Sequence, residues 1–265
     1  MLDYAEFKKK VAVLVGIDLA HYKSQQMDRR IHSLMSAWKM ETYEEFLELL
    51  RTNPHRFDEF NKKLTINVSE FFRNPERFYE LWHRVLPKLV KERPLCRIWS
   101  AGCSNGSEPY SLAIIARELG MSGRFSFLAT DVDKMILNKA EQALYTAHDL
   151  KNLPPELLEK YFTPEDGNFR LREIVRRMVE FRHHDLLKEE FESDFDLILC
   201  RNVVIYFTEA AKLQLYTKFL HALRPGGLLL VGGTEPLLNY RQLGFESYMP
   251  SFYQRPFSVE KGASG

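Results

Sequence analysis

Cysteine is scarce in this chain, and so is any excess of charge. Cys96, Cys103 and Cys200 are the three cysteines among 265 residues, with no Cys-x-x-Cys pair. That spacing argues against a disulfide framework or a structural zinc site and suits a reducing compartment. Lys and Arg number 37 against 36 Asp and Glu, a net charge of +1. Without a basic excess, a nucleic-acid partner is not expected. No apolar run approaches the ~20 residues that cross a bilayer, so no membrane insertion is expected. The start, MLDYAEFKKKVAVLVG, has acids before its basic run and no long apolar core, so it does not read as a signal peptide. A soluble, cytoplasmic protein is expected. The apolar content of 45% and aromatic content of 13% are ample for a buried core, in one large domain or two smaller ones.

The chain is organised around RIWSAGCSNGSEPYSLAIIARELG, residues 97–120. Arg97 to Ser100 reads as the end of a buried strand. Gly102 and Gly106 frame a run of small residues that permits positive φ and close backbone approach to a ligand. Ser107-Glu108-Pro109 opens a helix, with an acid and a proline in its first turn. Leu112, Ala113, Ile115, Ala116 and Leu119 follow at helical spacing, and Gly120 is a stop. Strand, glycine turn and helix form the nucleotide-binding start of a doubly wound α/β domain. FSFLATDVD, residues 125–133, then supplies a second strand ending at Asp131. An acid there is placed to hold ribose hydroxyls. The alternative for Asp131 is an N-cap for the helix that follows.

Residues 1–65 read as a helical bundle. Tyr4, Phe7, Val11 and Leu14 lie on one helical face, and Met27, Ile31, Leu34, Met35 and Trp38 on another. Thr42 to Glu45 has the form of a capping box, and Pro54 restarts a fourth helix. The second helix carries Lys23, Arg29, Arg30 and Lys39 on its polar face. That is either an ordinary solvated face or a docking surface for an acidic partner.

INVSEFFRNPERFYE, residues 66–80, is too rich in aromatics for a simple linker. It reads either as helix interior or as a segment folded over a cofactor, with Arg73 meeting a carboxylate. After residue 145 the α/β rhythm stalls until about 178, in an insertion with one or two short antiparallel strands. Val179 to Phe181 resumes the sheet. Phe195 onward is a fourth strand that leaves the sheet at Arg201-Asn202. Glu209 to Leu223 is a helix, Arg224 to Gly227 a tight turn, and Leu228 to Val231 a strand. Strand candidates near 245–249 and 252–255 complete a seven-stranded, Rossmann-like sheet. His183 and His184 are adjacent on a strand and point to opposite faces, so no metal site is expected.

INVSEFFR, GCSNGSEPYS, ATDVD, CRNVVIYF and LRPGGLLLVGGTE together resemble one family over nearly the whole chain: the bacterial chemotaxis receptor methyltransferases (CheR family). The resemblance implies methyl transfer from S-adenosylmethionine to glutamate side chains of methyl-accepting chemoreceptors, giving methyl esters and S-adenosylhomocysteine. It also implies a role for each matching residue. Asn67, Ser69 and Arg73 match the cofactor-contacting segment, with Arg73 pairing the methionine carboxylate. Glu108 matches the acid after the glycine turn beginning at Gly102, and Asp131 the ribose ligand. Asp185-Leu186 matches the pair that borders the adenine, with aspartate where asparagine is usual. Asn202-Val203 and Tyr206 match the motif beside the transferring methyl, and Arg73 and Tyr206 are the candidate catalytic pair. Arg29 and Arg30 are the candidate receptor contacts.

A glutamate acceptor is already ionised at neutral pH, with an ordinary pKa near 4.3. No general base is required, and none is evident. A dinucleotide oxidoreductase shares the strand, turn and acid, but Gly102-x-x-x-Gly106 departs from its G-x-G-x-x-G spacing. A non-catalytic S-adenosylmethionine-binding module is the other alternative. A monomer is expected. In the resembled family a glycine-rich loop in this insertion goes with gripping a receptor's C-terminal tail; Gly167 is the sole glycine here, so the resemblance implies an enzyme that needs no receptor tail.

Overall fold

A computed structural model describes residues 2–17, 19–65 and 69–257. Asn67, one of the expected cofactor contacts, lies outside the described residues. The chain divides into two units, one of residues 1–67 with 205–212 and one of residues 68–204 with 213–265.

The first unit holds α1 (Tyr4–Val15), α2 (Ser24–Ala37), α3 (Tyr43–Thr52) and α4 (Pro54–Thr65). Asp3 caps α1 by accepting the Glu6 N–H, and Gly16 ends it at φ +75°. The expected capping box forms in full at α3, between Thr42 and Glu45. Phe7, Val11, Ile31, Phe46, Leu50, Phe60 and Leu64 are buried. They are joined by an aromatic run in which Phe7 packs on Tyr43 and Phe46, and Phe46 on Phe60. The sequence does not announce the return of residues 205–212 to this unit. Tyr22 bridges to Phe207, the Lys23 N–H donates to the Tyr206 carbonyl at 2.8 Å, and Thr208 N–H donates to His21.

The second unit begins with the described part of the 66–80 segment. Residues 69–74 are irregular, not helix interior. They lead into α5 (Pro75–Glu80), a wide turn over Leu81–Val85 and α6 (Leu86–Glu92). The wide turn arises beside Pro87, where the Leu86 N–H reaches back to the Leu81 carbonyl. Next come β1 (Cys96–Ala101), α7 (Ser107–Glu118), β2 (Phe125–Asp131) and α8 (Lys134–Gln142). The insertion contributes β3 (Leu144–Tyr145), α9 (Pro155–Tyr161), β4 (Phe162–Glu165), β5 (Asn168–Leu171) and α10 (Glu173–Arg176). Then follow β6 (Val179–His183), β7 (Phe195–Cys200), α11 (Glu209–Ala222), β8 (Leu223–Val231), β9 (Glu246–Met249) and β10 (Phe252–Gln254).

The main sheet has the order β6-β2-β1-β7-β8-β10-β9. The first five strands are parallel, and the β9–β10 hairpin adds antiparallel at one edge. Crossovers run outward from β1 in both directions, so the ends of β1, β2 and β7 flank the point where strand order reverses, the usual place for a ligand. The insertion forms its own sheet, β3-β5-β4, one strand more than the sequence suggested. The Arg224 to Gly227 stretch is not a turn. It belongs to β8, with an irregular register opposite Phe195 to Leu197 and Gly226 at φ +78°. Arg224 is drawn into the sheet because Nε donates to the fully buried Asp196.

Candidate active site

The site is built from the turn between β1 and α7. Gly102 N–H and Cys103 N–H both donate to the Thr130 carbonyl, at 2.8 and 2.9 Å, which pins the turn to the end of β2. Gly102 adopts φ +83°, and a Cβ there would lie 2.5 Å from Val203 Cγ2. Gly106, at φ +82°, instead admits Ala140, Phe181 and Tyr110 at 3.0–3.1 Å from a Cβ position. The first glycine therefore admits a neighbouring motif, and the second lets α7 pack on α8 and β6. The Cys103 thiol is buried, and burial holds its pKa well above the ordinary value, so it is inert.

Asp131 closes the turn from the other side. Its Oδ2 accepts the Ser104 N–H at 2.8 Å and its Oδ1 the Asp133 N–H at 3.0 Å. Burial pushes its carboxyl up to about 6 against these stabilising bonds. The helix-cap alternative does not hold, because Asp133 caps α8 itself, accepting from Met135 and Ile136 N–H. A carboxylate buried with one donor on each oxygen retains lone pairs for two hydroxyls. Ser104 Oγ is buried beside it with no hydrogen-bond partner among the described residues. Both features fit a polar ligand such as a ribose diol.

Glu108, in the first turn of α7, accepts from Ser100 Oγ at 2.8 Å and from Arg201 Nη1 at 3.1 Å. Arg201 also donates from Nη2 to the Arg73 carbonyl at 2.8 Å and to Asn74 Oδ1 at 2.7 Å. Arg201 was not singled out in the sequence, although it precedes the Asn202 motif; an arginine at a buried strand end is its only signal. The segment it meets is anchored elsewhere too. Phe71 N–H donates to the Asp149 carbonyl at 2.8 Å and Phe72 N–H to Ser111 Oγ at 3.1 Å. Phe72 and Asn74 both adopt left-handed φ, 53° and 60°, on either side of Arg73. Ser69 is half-buried at the start of this segment.

Asn202 also adopts left-handed φ, 60°, and its N–H donates to Glu235 Oε2 at 2.6 Å. Glu235 is a second residue that sequence reasoning missed, a buried acid at the end of the LVGGTE run. Asp185 and Leu186 are buried beyond β6, and the His184 N–H donates to the Asp131 carbonyl at 3.0 Å, which ties this turn to β2. The Asp185 carboxylate is engaged by its own turn: Oδ1 accepts the Leu187 N–H at 2.9 Å, and Lys188 Nζ lies 3.6 Å from Oδ2. Aspartate in place of an amide thus serves the loop, and Lys218 Nζ holds the Leu186 carbonyl at 3.1 Å.

Gly102, Glu108, Arg73, Asp131, Asp185, Leu186, Asn202 and Val203 therefore all belong to the second unit. Arg29, Arg30 and Tyr206 belong to the first. Arg29 is exposed. Arg30 is not an open docking residue: Nη1 donates to the Leu64 carbonyl at 2.8 Å, and its guanidinium lies 5.0 Å from the Tyr206 ring centroid.

Residues 67–249 match the family model for the CheR methyltransferase SAM-binding domain, and residues 2–65 match that for the CheR methyltransferase all-alpha domain. The chain belongs to the CheR methyltransferase family. It is 40% identical over 252 residues to a chemotaxis protein methyltransferase of Listeria monocytogenes, covering 95% of this chain and 96% of the relative. A chemotaxis protein methyltransferase of Borreliella burgdorferi is 35% identical, covering 91% and 89%. One of Salmonella typhimurium is 34% identical, covering 84% and 80%. As a CheR methyltransferase the protein uses S-adenosylmethionine. The Asp131 carboxylate, the Ser104 hydroxyl, which has no partner among the described residues, and the glycine at Gly102 fit that cofactor's nucleoside. No helix among the described residues is long and apolar enough to cross a membrane.

Proposed function

We propose that this CheR methyltransferase esterifies glutamate side chains on the cytoplasmic helices of chemoreceptors, as part of sensory adaptation. The observation that carries the reading is the buried Asp131 carboxylate, aligned by Ser104 and Asp133 N–H groups at the reversal point of a parallel sheet. The relatives' names, chemotaxis protein methyltransferase, support a methyl acceptor within chemotaxis.

When bound, S-adenosylmethionine would supply a sulfonium methyl: an ionised carboxylate oxygen would bond to its carbon as the carbon–sulfur bond breaks, with S-adenosylhomocysteine leaving. The chain's own residues bind, orient and exclude water. Asp131 accepts hydrogen bonds from the ribose hydroxyls. Asp185 and Leu186 would hold the adenine. Arg73 pairs the methionine carboxylate, and Glu108, an acid on the same unit, suits its ammonium. Gly102, Asn202 and Val203 would line the cofactor's site. Ser69 and Asn67 complete the cofactor contacts. Tyr206, four residues past Asn202, is assigned to the acceptor side on its motif. Arg29, exposed on α2, is the residue offered to an acidic receptor helix.

The domain reading proposed is a receptor-docking helical region over 1–65, a cofactor-contacting segment over 66–80 and the catalytic domain over 81–265. The enzyme acts as a monomer in the cytoplasm, and its small sheet needs no receptor tail. The test is transfer of labelled methyl from S-adenosylmethionine to receptor membranes. The reading expects label on the receptor that is released as methanol in mild base. Base-stable label, or none on receptor while S-adenosylhomocysteine binds, would reject glutamate as the acceptor.

A further inference from the structure

The geometry points to Arg201 as a positioning residue that sets Arg73 and Glu108 for the charged end of the cofactor; this rests on the function proposed above. Arg201 follows β7 directly, and its side chain is 2% exposed. One guanidinium reaches three acceptors on two elements: Glu108 on α7, and the Arg73 carbonyl and Asn74 Oδ1 in the segment leading into α5. Its cation lies 5.6 Å from the Phe78 ring centroid.

A buried ion pair is poor evidence for stability, because desolvating both charges offsets most of the attraction. Its use is in specifying geometry, and here the geometry needs specifying. Arg73 stands between two left-handed residues, Phe72 at φ 53° and Asn74 at φ 60°. That conformation costs an L-residue about 1–2 kcal/mol and persists only where the surroundings over-determine it. Phe71 and Phe72 are held through their N–H groups from one side. Arg201 holds the Arg73 carbonyl and the Asn74 side chain from the other. With its carbonyl fixed, the direction in which Arg73 leaves the backbone is fixed. The same guanidinium keeps Glu108 Oε2 in place while Ser100 keeps Oε1. Arginine suits this task because its planar fork donates along several directions at once, where a lysine ammonium acts as a point charge.

The test compares wild type with Arg201→Lys and Arg201→Met. It measures calorimetric affinity for S-adenosylhomocysteine, melting temperature, and KM for S-adenosylmethionine and for receptor separately. The expected result is S-adenosylhomocysteine affinity about tenfold or more weaker in Arg201→Met, with KM for S-adenosylmethionine rising in step and KM for receptor unchanged. Arg201→Lys, which keeps the charge, should recover part of the affinity. In a double-mutant cycle with Glu108→Gln, the two losses should not add. If Arg201→Met does not fold, Arg201→Lys carries the test, with an expected loss of about threefold to tenfold. Wild-type affinity in either folded variant, or strictly additive losses in the cycle, overturns the inference. Failure of wild type to bind S-adenosylhomocysteine would instead reject the proposed function.

Discussion

Gly102 and Val203 meet so closely that a β-carbon on the glycine would lie 2.5 Å from Val203 Cγ2. The turn after β1 and the motif after β7 thus form one wall of the candidate site, and the contact exists only because Gly102 has no side chain. An alanine at φ +83° bears about 1–2 kcal/mol of backbone strain, and overpacking against Val203 adds about 1–3 kcal/mol. Gly102→Ala should therefore lower stability in denaturant by the sum of the two. Adding Val203→Ala should restore the overpacking part and leave the strain. Simple additivity of the two substitutions would show that the clash is not what Gly102 avoids.

Asp131 gives the site a pH dependence of defined sign. Its carboxyl is raised to about 6 by burial, and the ionised form is the one that accepts two hydroxyls. Affinity for S-adenosylhomocysteine should be flat above pH 7 and fall below about pH 6, approaching tenfold per unit. Binding near pH 6 should release protons, seen as a buffer-dependent calorimetric enthalpy. For the folding equilibrium the sign is the reverse of that for a salt-bridged acid. The raised carboxyl costs stability above pH 6, and the cost fades as pH falls towards the unfolded value near 3.9. Asp131→Asn should bind weakly and without this pH dependence. Asp133→Ala should lose about 1 kcal/mol of stability through the α8 cap and keep the pH profile of binding. A flat wild-type profile from pH 5 to 8 would remove Asp131 from the ribose.

Arg29 and Arg30 are neighbours with different duties. Arg30 donates to the Leu64 carbonyl in the last turn of α4 and lies over Tyr206. Arg30→Ala leaves that carbonyl without its donor and removes the ring contact, so stability should fall by about 1–3 kcal/mol. Arg29 is exposed, and Arg29→Glu should leave the melting temperature within about a degree, as surface changes do. It should raise KM for receptor and not alter S-adenosylhomocysteine affinity. Equal effects of both substitutions on melting temperature would undo the distinction.

Glu235 holds Asn202 in a left-handed conformation through its N–H. Glu235→Gln keeps an acceptor and should bind S-adenosylhomocysteine within a few-fold of wild type. Glu235→Ala releases the N–H and loses a hydrogen bond to a charged group, about 1.5–3 kcal/mol. Its affinity should fall by tenfold or more. Identical affinities for the alanine and glutamine variants would mean that Asn202 is held by something else.

Local chemistry made the elements legible. Helical spacing, the Thr42–Glu45 capping box, the Gly102–Gly106 turn and the acid at the end of β2 are each written within a few residues, and each is where the sequence placed it. The first three parallel strands follow from that local grammar, and the cofactor class from the family resemblance that several such stretches carry together. Sequence reading failed where a residue's role depends on a distant partner. The Arg224 to Gly227 stretch has turn chemistry, yet buried Asp196 draws Arg224 into β8. Arg30 looked like a surface charge until α4 presented its last carbonyls to it.

Arg201 meets Glu108 across 93 residues of sequence and Arg73 across 128, and no periodicity connects such positions. The sequence alone determined a parallel α/β sheet with a nucleoside turn, because backbone sterics and helix caps act over a few residues. Tertiary structure alone decided which buried charges neutralise which and which arginines remain in solvent. Those outcomes depend on side chains whose burial is set only when the strands close into one sheet.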